Sequence, residues 1–374
     1  MFDLLGPEGP LYLASETGLV FADDSLACVV QGGAVRDAES QIVTYDETLF
    51  FSRERCVPGN RSTYARVRFR CDSPDVTVEL RLVQTLRPVH NQRLTPLCAR
   101  LERGCFTLTG LHDDVLAGDP TTPVFAPTPG TWHTLELLTF QKSTLARVSG
   151  CPTVLKKPDH LRFLPGTPGL RVIAPRGAPV RLRDWLVTAV GPRDATLGAI
   201  GDSITAGLQH GPEADSYVHQ VTRALGQPFT LNTGSGGATT TLDRARFAYE
   251  IAPFQPQWVW IESGTNDLTG GLRATDIFAN HQAMATAVNW RGRALFSTVP
   301  PRNTDQAAAN RERRALNALI RASGLPFVDR SAVVADPSNP DRLSAEFDSG
   351  DGTHLNPAGN AAVAGEAVRL LRTL

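Results

Sequence analysis

The sequence predicts two domains of different class. An antiparallel β-sandwich of jelly-roll type is expected over residues 1–192, and an α/β domain with a parallel sheet over residues 193–374. Three observations carry this. Short segments in the first half alternate apolar and polar residues with a period of two. The second half alternates unbroken apolar runs with segments of helical period. At 374 residues the chain is also longer than one ordinary domain.

In "TYARVRFRC", Ala65, Val67, Phe69 and Cys71 alternate with Arg66, Arg68 and Arg70. In "DVTVELRLV", Val76, Val78, Leu80 and Leu82 alternate with Thr77, Glu79 and Arg81. One apolar face per strand is the pattern of an antiparallel sheet that is open to water on its other side. Similar runs follow in "CFTLTGL", "WHTLELLTF", "HLRFL", "GLRVIA" and "VRLRDWLVTAV", separated by turn-rich pieces such as "AGDPTTPVFAPTPG" and "LPGTPG". Many short strands with Pro/Gly turns make a sandwich or jelly roll. The pieces "GTWHTLELL" and "VRLRDWLV" resemble strands of concanavalin-like lectin sandwiches.

The second half opens with the apolar strand "TLGAI". A helix follows in "ADSYVHQVTRALG", capped by Asp215 or Ser216, with Tyr217, Val218, Val221 and Leu225 on one face and Gly226 at its end. Strands are expected at "FTLN", "QWVWIES", "RALFSTVP" and "PFVD", and helices at "TLDRARFAYEIA", "TDIFANHQAMATAVNWRG" and "DQAAANRERRALNALIRASG". The last of these is expected to show Arg311, Glu312 and Arg313 to solvent. "NPAGNAAVAGEAVRLLRTL" closes the chain as a helix with Pro357 near its start. The domain boundary is read near "VGPRDA".

Composition removes several classes of function. A formal net charge of −1 provides no global field for nucleic acid or a membrane surface. No apolar run reaches the roughly 18 residues that cross a bilayer. "MFDLLGPEGPLYLA" lacks a basic n-region and a long apolar core. It reads as no signal peptide, which tilts the expected compartment toward the cytoplasm. Cys28, Cys56, Cys71, Cys98, Cys105 and Cys151 all fall in the first half, with no C-x-x-C pair, so zinc is not expected. Buried free thiols are favoured over three disulfides.

The chemistry-bearing segments of the second half each follow a strand. They are "GDSITAG" after "TLGAI", "NTGSGG" from the end of "FTLN", "GTND" after "QWVWIES", and "DSGDGTHLNPAG" after the last short strand. In open α/β sheets ligands bind beyond the carboxyl ends of the strands, so the four meet on one rim. Ser203 there can attack an ester carbonyl once a base takes its proton. His354 fits as that base, and Asp351, three residues earlier, fits as the group that sets its tautomer. The oxyanion needs preorganised donors. Candidates are the Ser203 N–H, a glycine N–H of "GSGG" and the Asn266 amide.

In that order the four segments resemble the conserved blocks of the SGNH (GDSL-type) hydrolases, over about half the chain from Leu197 to its end. The resemblance implies a flavodoxin-like three-layer fold. It implies Ser203 as nucleophile, Asp351 and His354 as its partners, and no metal or other cofactor. It implies an oxyanion hole of Ser203, Asn266 and a glycine five residues past Asn232, which is Gly237, with Gly236 next best. Asp202 and Asp267 are expected in supporting roles, Asp267 as a loop brace. Position 205 is threonine, so the G-x-S-x-G elbow is absent.

Other readings are weighed beside these. Asp348, Asp351 and His354 could ligate a metal, but "EFDSGDGTH" lacks a calcium-loop pattern. His219 falls on a helix and reads as structural, whereas His210 is a lesser candidate for lining the pocket. Trp258 and Trp260 read as core, and Trp132 and His133 as packing rather than sugar stacking. The expected function is ester hydrolysis through an acyl-enzyme, on an acetylated carbohydrate as small molecule or polysaccharide. The alternatives are a lipid or thioester acyl hydrolase and a non-catalytic glycan-binding protein.

Overall fold

The computed structural model describes residues 11–13, 28–31, 34–36, 42–44, 47–52, 63–84, 97–110, 114–140, 143–157, 167–175, 177–192, 195–207, 216–227, 230–304 and 307–374. The chain divides into two compact units, with the main division between Val190 and Gly191.

The first unit contains two antiparallel sheets. One runs in the order Val154–Lys157, Ser143–Val148, His133–Phe140, Thr63–Cys71, Val180–Pro192, Ile42–Thr44 and Ala34–Arg36. The other runs Val115–Gly118, Cys105–Thr109, Cys98–Glu102, Thr77–Gln84, Thr167–Ile173, Glu47–Ser52 and Cys28–Gln31. The inward residues of both meet in one core, including Val67, Phe69, Leu135 and Leu137 from the first sheet and Val78, Leu80, Leu108 and Val172 from the second. Two antiparallel sheets that share one apolar core make a β-sandwich.

The alternation of "TYARVRFRC" is realised residue by residue, with Ala65, Val67, Phe69 and Cys71 buried and the arginines between them half-buried. The second alternating strand differs from expectation. Glu79 on its polar side is only 1% exposed, because Arg81, Arg100 and Arg171 close over it. Their aliphatic stems cover the strand while the guanidinium groups satisfy the carboxylate. His133 packs between Phe69 and Phe125, at ring distances of 5.6 and 5.1 Å. Cys71, Cys98 and Cys151 are buried free thiols and Cys105 is half-buried. "HLRFL", Cys56 and the side chain of Cys28 lie outside the described residues.

The second unit is built on a parallel sheet in the order Leu231–Asn232, Leu197–Ile200, Trp258–Ile261, Arg293–Ser297 and Phe327–Val328. In chain order this is 2-1-3-4-5, the doubly wound flavodoxin-like arrangement. Helices Tyr217–Ala224, Thr240–Glu250, Ala274–Ala287, Ala307–Arg321 and Pro357–Leu371 accompany it. Ser216 caps the first of these and Asn356 the last, with Pro357 at its first turn. Two short helices, Thr265–Thr269 and Arg330–Val334, and the strand pair Ala335–Asp336 with Asn339–Leu343 were not legible in the sequence pattern. Arg313 is a correction: it is 2% exposed, bonded to Ser331 Oγ, the Pro340 carbonyl and Asp341. The polar stripe of that helix therefore includes a buried cation that ties down the following hairpin. Among the described residues, no helix is long and apolar enough to cross a membrane.

Candidate active site

Ser203 is delivered by the central strand Leu197–Ile200, which is buried throughout. A side chain at Gly201 would put its Cβ 2.2 Å from Thr205 Oγ1 and 3.0 Å from Glu262 Cβ, so glycine makes room for both neighbours. Asp202, itself buried, caps the short helix Ser203–Ala206 by accepting from the Ile204 N–H at 2.9 Å. Gly207, with φ of +66°, ends that helix after one turn. Ser203 is thus the first helical residue at a strand's carboxyl end, and it is half-buried.

The Ser203 Oγ lies 2.8 Å from His354 Nε2. The opposite ring nitrogen, Nδ1, lies 2.6 Å from Asp351 Oδ2. Asp351 Oδ1 accepts from the backbone N–H groups of Thr353 and His354 at 2.9 and 2.8 Å. Partial desolvation raises the Asp351 carboxyl's pKa. The bonds from the His354 backbone and ring and from Thr353 outweigh it and hold the group well below the usual carboxylate range. Asp351 therefore stays ionised.

The loop that carries this pair is tied at several points. Asp348 accepts from Gly350 N–H, Gly352 N–H and Asn303 Nδ2 at 2.8, 2.9 and 2.9 Å. Arg302 donates to Thr353 Oγ1 at 3.1 Å and also to Thr269 Oγ1.

The other two segments are bonded to each other. The Asn266 amide donates to the Ala238 carbonyl at 2.9 Å. Asp267 accepts from the Thr240 N–H at 2.9 Å and from its hydroxyl at 2.6 Å. The glycine loop is also bound to the serine segment: Asn232 Nδ2 donates to the Thr205 carbonyl at 2.8 Å, and Ser235 N–H to the Gly201 carbonyl at 2.9 Å. A Cβ on Gly234 would sit 2.3 Å from the Ala206 nitrogen, so the two backbones touch there. Gly237 is exposed, with φ of +76°, and Gly236 is half-buried.

Residues 199–362 match the GDSL-like lipase/acylhydrolase family. This stretch is a GDSL-like lipase/acylhydrolase domain. Solved structures similar to the chain include a member of the lipolytic protein G-D-S-L family from Veillonella parvula, 18% identical over 48% of this chain and 98% of that one, with a TM-score of 0.41. The lipase/acylhydrolase from Enterococcus faecalis is 22% identical over 47% and 95%, with a TM-score of 0.41. A catalytic mutant of Axe2, an acetylxylan esterase from Geobacillus stearothermophilus, is 19% identical over 48% and 95%, with a TM-score of 0.40. No curated protein matches the chain.

Beneath the rim the GDSL domain buries two arginine networks that the sequence reading missed. Arg246 is 1% exposed and binds the Gly201 carbonyl at 2.9 Å, the Thr233 carbonyl, and the carboxylates of Asp243 and Glu250. It thereby links the serine turn to the glycine loop. Arg330, fully buried, donates to the Glu262 carbonyl at 3.0 Å and Tyr217 Oη at 2.7 Å, and pairs with the Glu262 carboxylate at 3.3 Å. Tyr217 in turn donates to Glu262 at 2.6 Å. Burial pushes the Glu262 carboxyl upward against the pull of Arg330. The spacing Asp243, Arg246, Glu250 places all three on one helix face, and that was the available signal.

His219 bonds Ser216 at its helix start, and Trp260 is buried against Tyr217, both structural. Trp258 is half-buried under Arg293. His210 and Asp215 lie outside the described residues. Asp348 is committed to its own loop, and among the described residues no three His, Cys, Asp or Glu side chains converge to hold an ion.

Proposed function

We propose that the GDSL domain is a serine esterase working through an acyl-enzyme, with Ser203 as nucleophile, His354 as base and Asp351 as its orienting partner. The observation that carries this reading is the unbroken line from Asp351 to His354 at 2.6 Å and from His354 to Ser203 at 2.8 Å. As Ser203 Oγ attacks the ester carbonyl, its proton passes to His354 Nε2. Asp351 holds the Nδ1–H and stabilises the imidazolium. The tetrahedral oxyanion is met by the N–H groups of Ser203 and Gly237 and by the Asn266 amide, which has a second proton beside the one on Ala238. Collapse expels the alcohol with the proton from His354. Water then repeats the sequence and releases the carboxylic acid.

The favoured substrate is an acetylated carbohydrate. The rim segments "NTGSGG", "GTND" and "SGDGTH" are short and polar and build no long wall for an acyl tail. One observation favours a second reading, a longer acyl ester or thioester. A cleft of about 490 Å³ beside the Thr265–Thr269 helix is lined partly by Leu268, Leu272, Ala308 and Ala309. Rates on acetylated sugars beside p-nitrophenyl esters from C2 to C12 separate the two. A maximum at C2 with deacetylation of sugars supports the first, and a maximum at C8 or longer replaces it with the second. EDTA should leave the rate unchanged. Loss of rate restored by a divalent ion would move Asp348, Asp351 and His354 to a metal reading.

A further inference from the structure

The sandwich arranges its arginines in two ways. On one sheet Arg100 and Arg171 approach the buried Glu79 at 2.8 and 2.9 Å, and Arg81 joins them, so the cations share a carboxylate beneath them. On the other sheet three guanidinium groups gather on an aromatic ring. Arg183 lies over Trp132 with its Cζ 4.0 Å from the ring centroid, and Arg70 and Arg68 flank it at 5.1 and 5.9 Å. Arg68 stands across the strands from Arg183, and Arg70 one pair along, so the cluster is a property of the register. The acid beside them is Asp184, 3.4 Å from Arg68 and 3.7 Å from Arg183, with 47% of its side chain exposed. Arg68 and Arg183 therefore share a solvated carboxylate, and Arg70 stands beside them on the ring.

The backbone departs from regular strand geometry at the same place. The register slips between Arg183 and Leu186, and Asp184 adopts φ of +52°, in the left-handed region that non-glycine residues avoid. The bulge sends Trp185 into the core at 1% exposure and leaves Arg183 and Asp184 facing outward. Bulges of this kind re-aim side chains and are over-represented beside functional sites.

We propose that the face formed by Arg68, Arg70, Trp132 and Arg183 binds a carboxylate-bearing polysaccharide. Guanidinium forks pair with carboxylates through two parallel bonds. Same-face residues repeat at roughly 6.8 Å along a strand, and neighbouring strands stand about 4.8 Å apart. That grid suits an extended chain with repeated anions better than a single small ion. The exposed part of Trp132 offers an apolar edge to a sugar ring. Nucleic acid fits less well, because stacked bases need an open aromatic face and Arg183 already lies over this one. A membrane fits less well too, because the large apolar side chains exposed among the described residues are Val115, Val124, Val154 and Leu374, all outside this cluster. The proposal concerns the sandwich and makes no use of the ester chemistry.

The test is affinity electrophoresis of the full chain through sodium alginate, with dextran, single-stranded DNA and phosphatidylserine vesicles as comparators. Alginate should retard the protein and dextran should not, and added salt should weaken the retardation. The double variant R68Q/R70Q and the single variant R183Q should each weaken alginate binding by about tenfold or more. W132A should weaken it and W132F largely keep it. R103Q, which removes an exposed cation on a turn of the other sheet, should change it less than about twofold. Only variants whose unfolding midpoint matches that of the parent are scored, and R183Q alone carries the test where the double variant does not fold. No retardation by alginate, equal retardation of R68Q/R70Q and the parent, or tighter binding to DNA or vesicles would overturn the proposal.

Discussion

The two units handle buried charge differently. In the sandwich the core itself is apolar; of its buried carboxylates Glu136 lies against Tyr64, and Glu79 lies on an outer face under arginines that still reach water. In the GDSL domain Arg246 and Arg330 are enclosed with their carboxylates beneath the rim and donate to the carbonyls of Gly201, Thr233 and Glu262. A sheet satisfies its own backbone groups through its ladders. Loops beyond a sheet's edge have no ladder, and their carbonyls need other donors once buried. A planar, permanently charged guanidinium can serve several at once. Buried ion pairs are poor sources of net stability, so these networks are better understood as fixing loop geometry.

The largest effects should come from the proposed nucleophile and its two partners. Ser203→Ala and His354→Ala should each lower kcat by about 10³- to 10⁶-fold with folding intact, and Asp351→Asn by up to about 10⁴-fold through the wrong tautomer. Steady-state kinetics with circular dichroism checks both points; more than a tenth of the parent activity in pure Ser203→Ala would remove the serine from its role. None of the three should alter the sandwich.

The next prediction addresses the comparison directly. Arg330→Leu removes the buried cation shared by the Glu262 carboxyl, its backbone carbonyl and Tyr217, and should cost about 3–5 kcal/mol. Glu79→Gln removes the matching group of the sandwich, but its arginines can turn to water, and the cost should be roughly 1–2 kcal/mol. Urea unfolding of both variants checks the order, and equal losses would erase the distinction between the two units.

A smaller effect is expected at Asn266. Asn266→Ala should lower kcat by about 10²- to 10³-fold, or roughly 3 kcal/mol, with KM nearly unchanged, because its second amide proton serves the oxyanion only in the transition state. A change confined to KM would make it a substrate-binding residue.

The most gradual effect is a pH slope set by one histidine of the GDSL domain. His281 is fully buried, bonds the Ser263 carbonyl at 2.7 Å, and is driven by burial from 6.5 down to about 4. Its folded form is neutral while the unfolded chain protonates near 6.5, so its contribution is present above that pH. It is lost as pH falls toward 4, by up to about 3 kcal/mol. The stability of the parent relative to His281→Gln should therefore drop over that interval. A constant difference would show that the ring is not held neutral.

The sequence makes the strands and the rim legible for different reasons. Alternation in "TYARVRFRC" follows from one face meeting a core, and that is a local property. Ser203, Asp351 and His354 stand out because few residue types perform that chemistry and each follows a strand. Buried charge is not local. Glu262 and Arg330 are 68 positions apart, and nothing near either says that the other will neutralise it. Arg313 was misplaced for the same reason, since its partners Ser331, Pro340 and Asp341 lie beyond the end of its helix. The helix Thr265–Thr269 was hidden by its shortness and by the turn-forming character of Asn266 and Asp267.

The free thiols of the sandwich offer a separate view of its motion. Burial pushes Cys71 up to about 11 and Cys98 up to about 12, so at neutral pH almost none of either is thiolate. Alkylating reagents should reach them only when the sandwich opens. Every cysteine of the chain precedes the GDSL domain in sequence, so mass-resolved alkylation times the breathing of one unit while ester turnover reports on the other. One tube of unlabelled, unmodified protein thus contains two independent clocks.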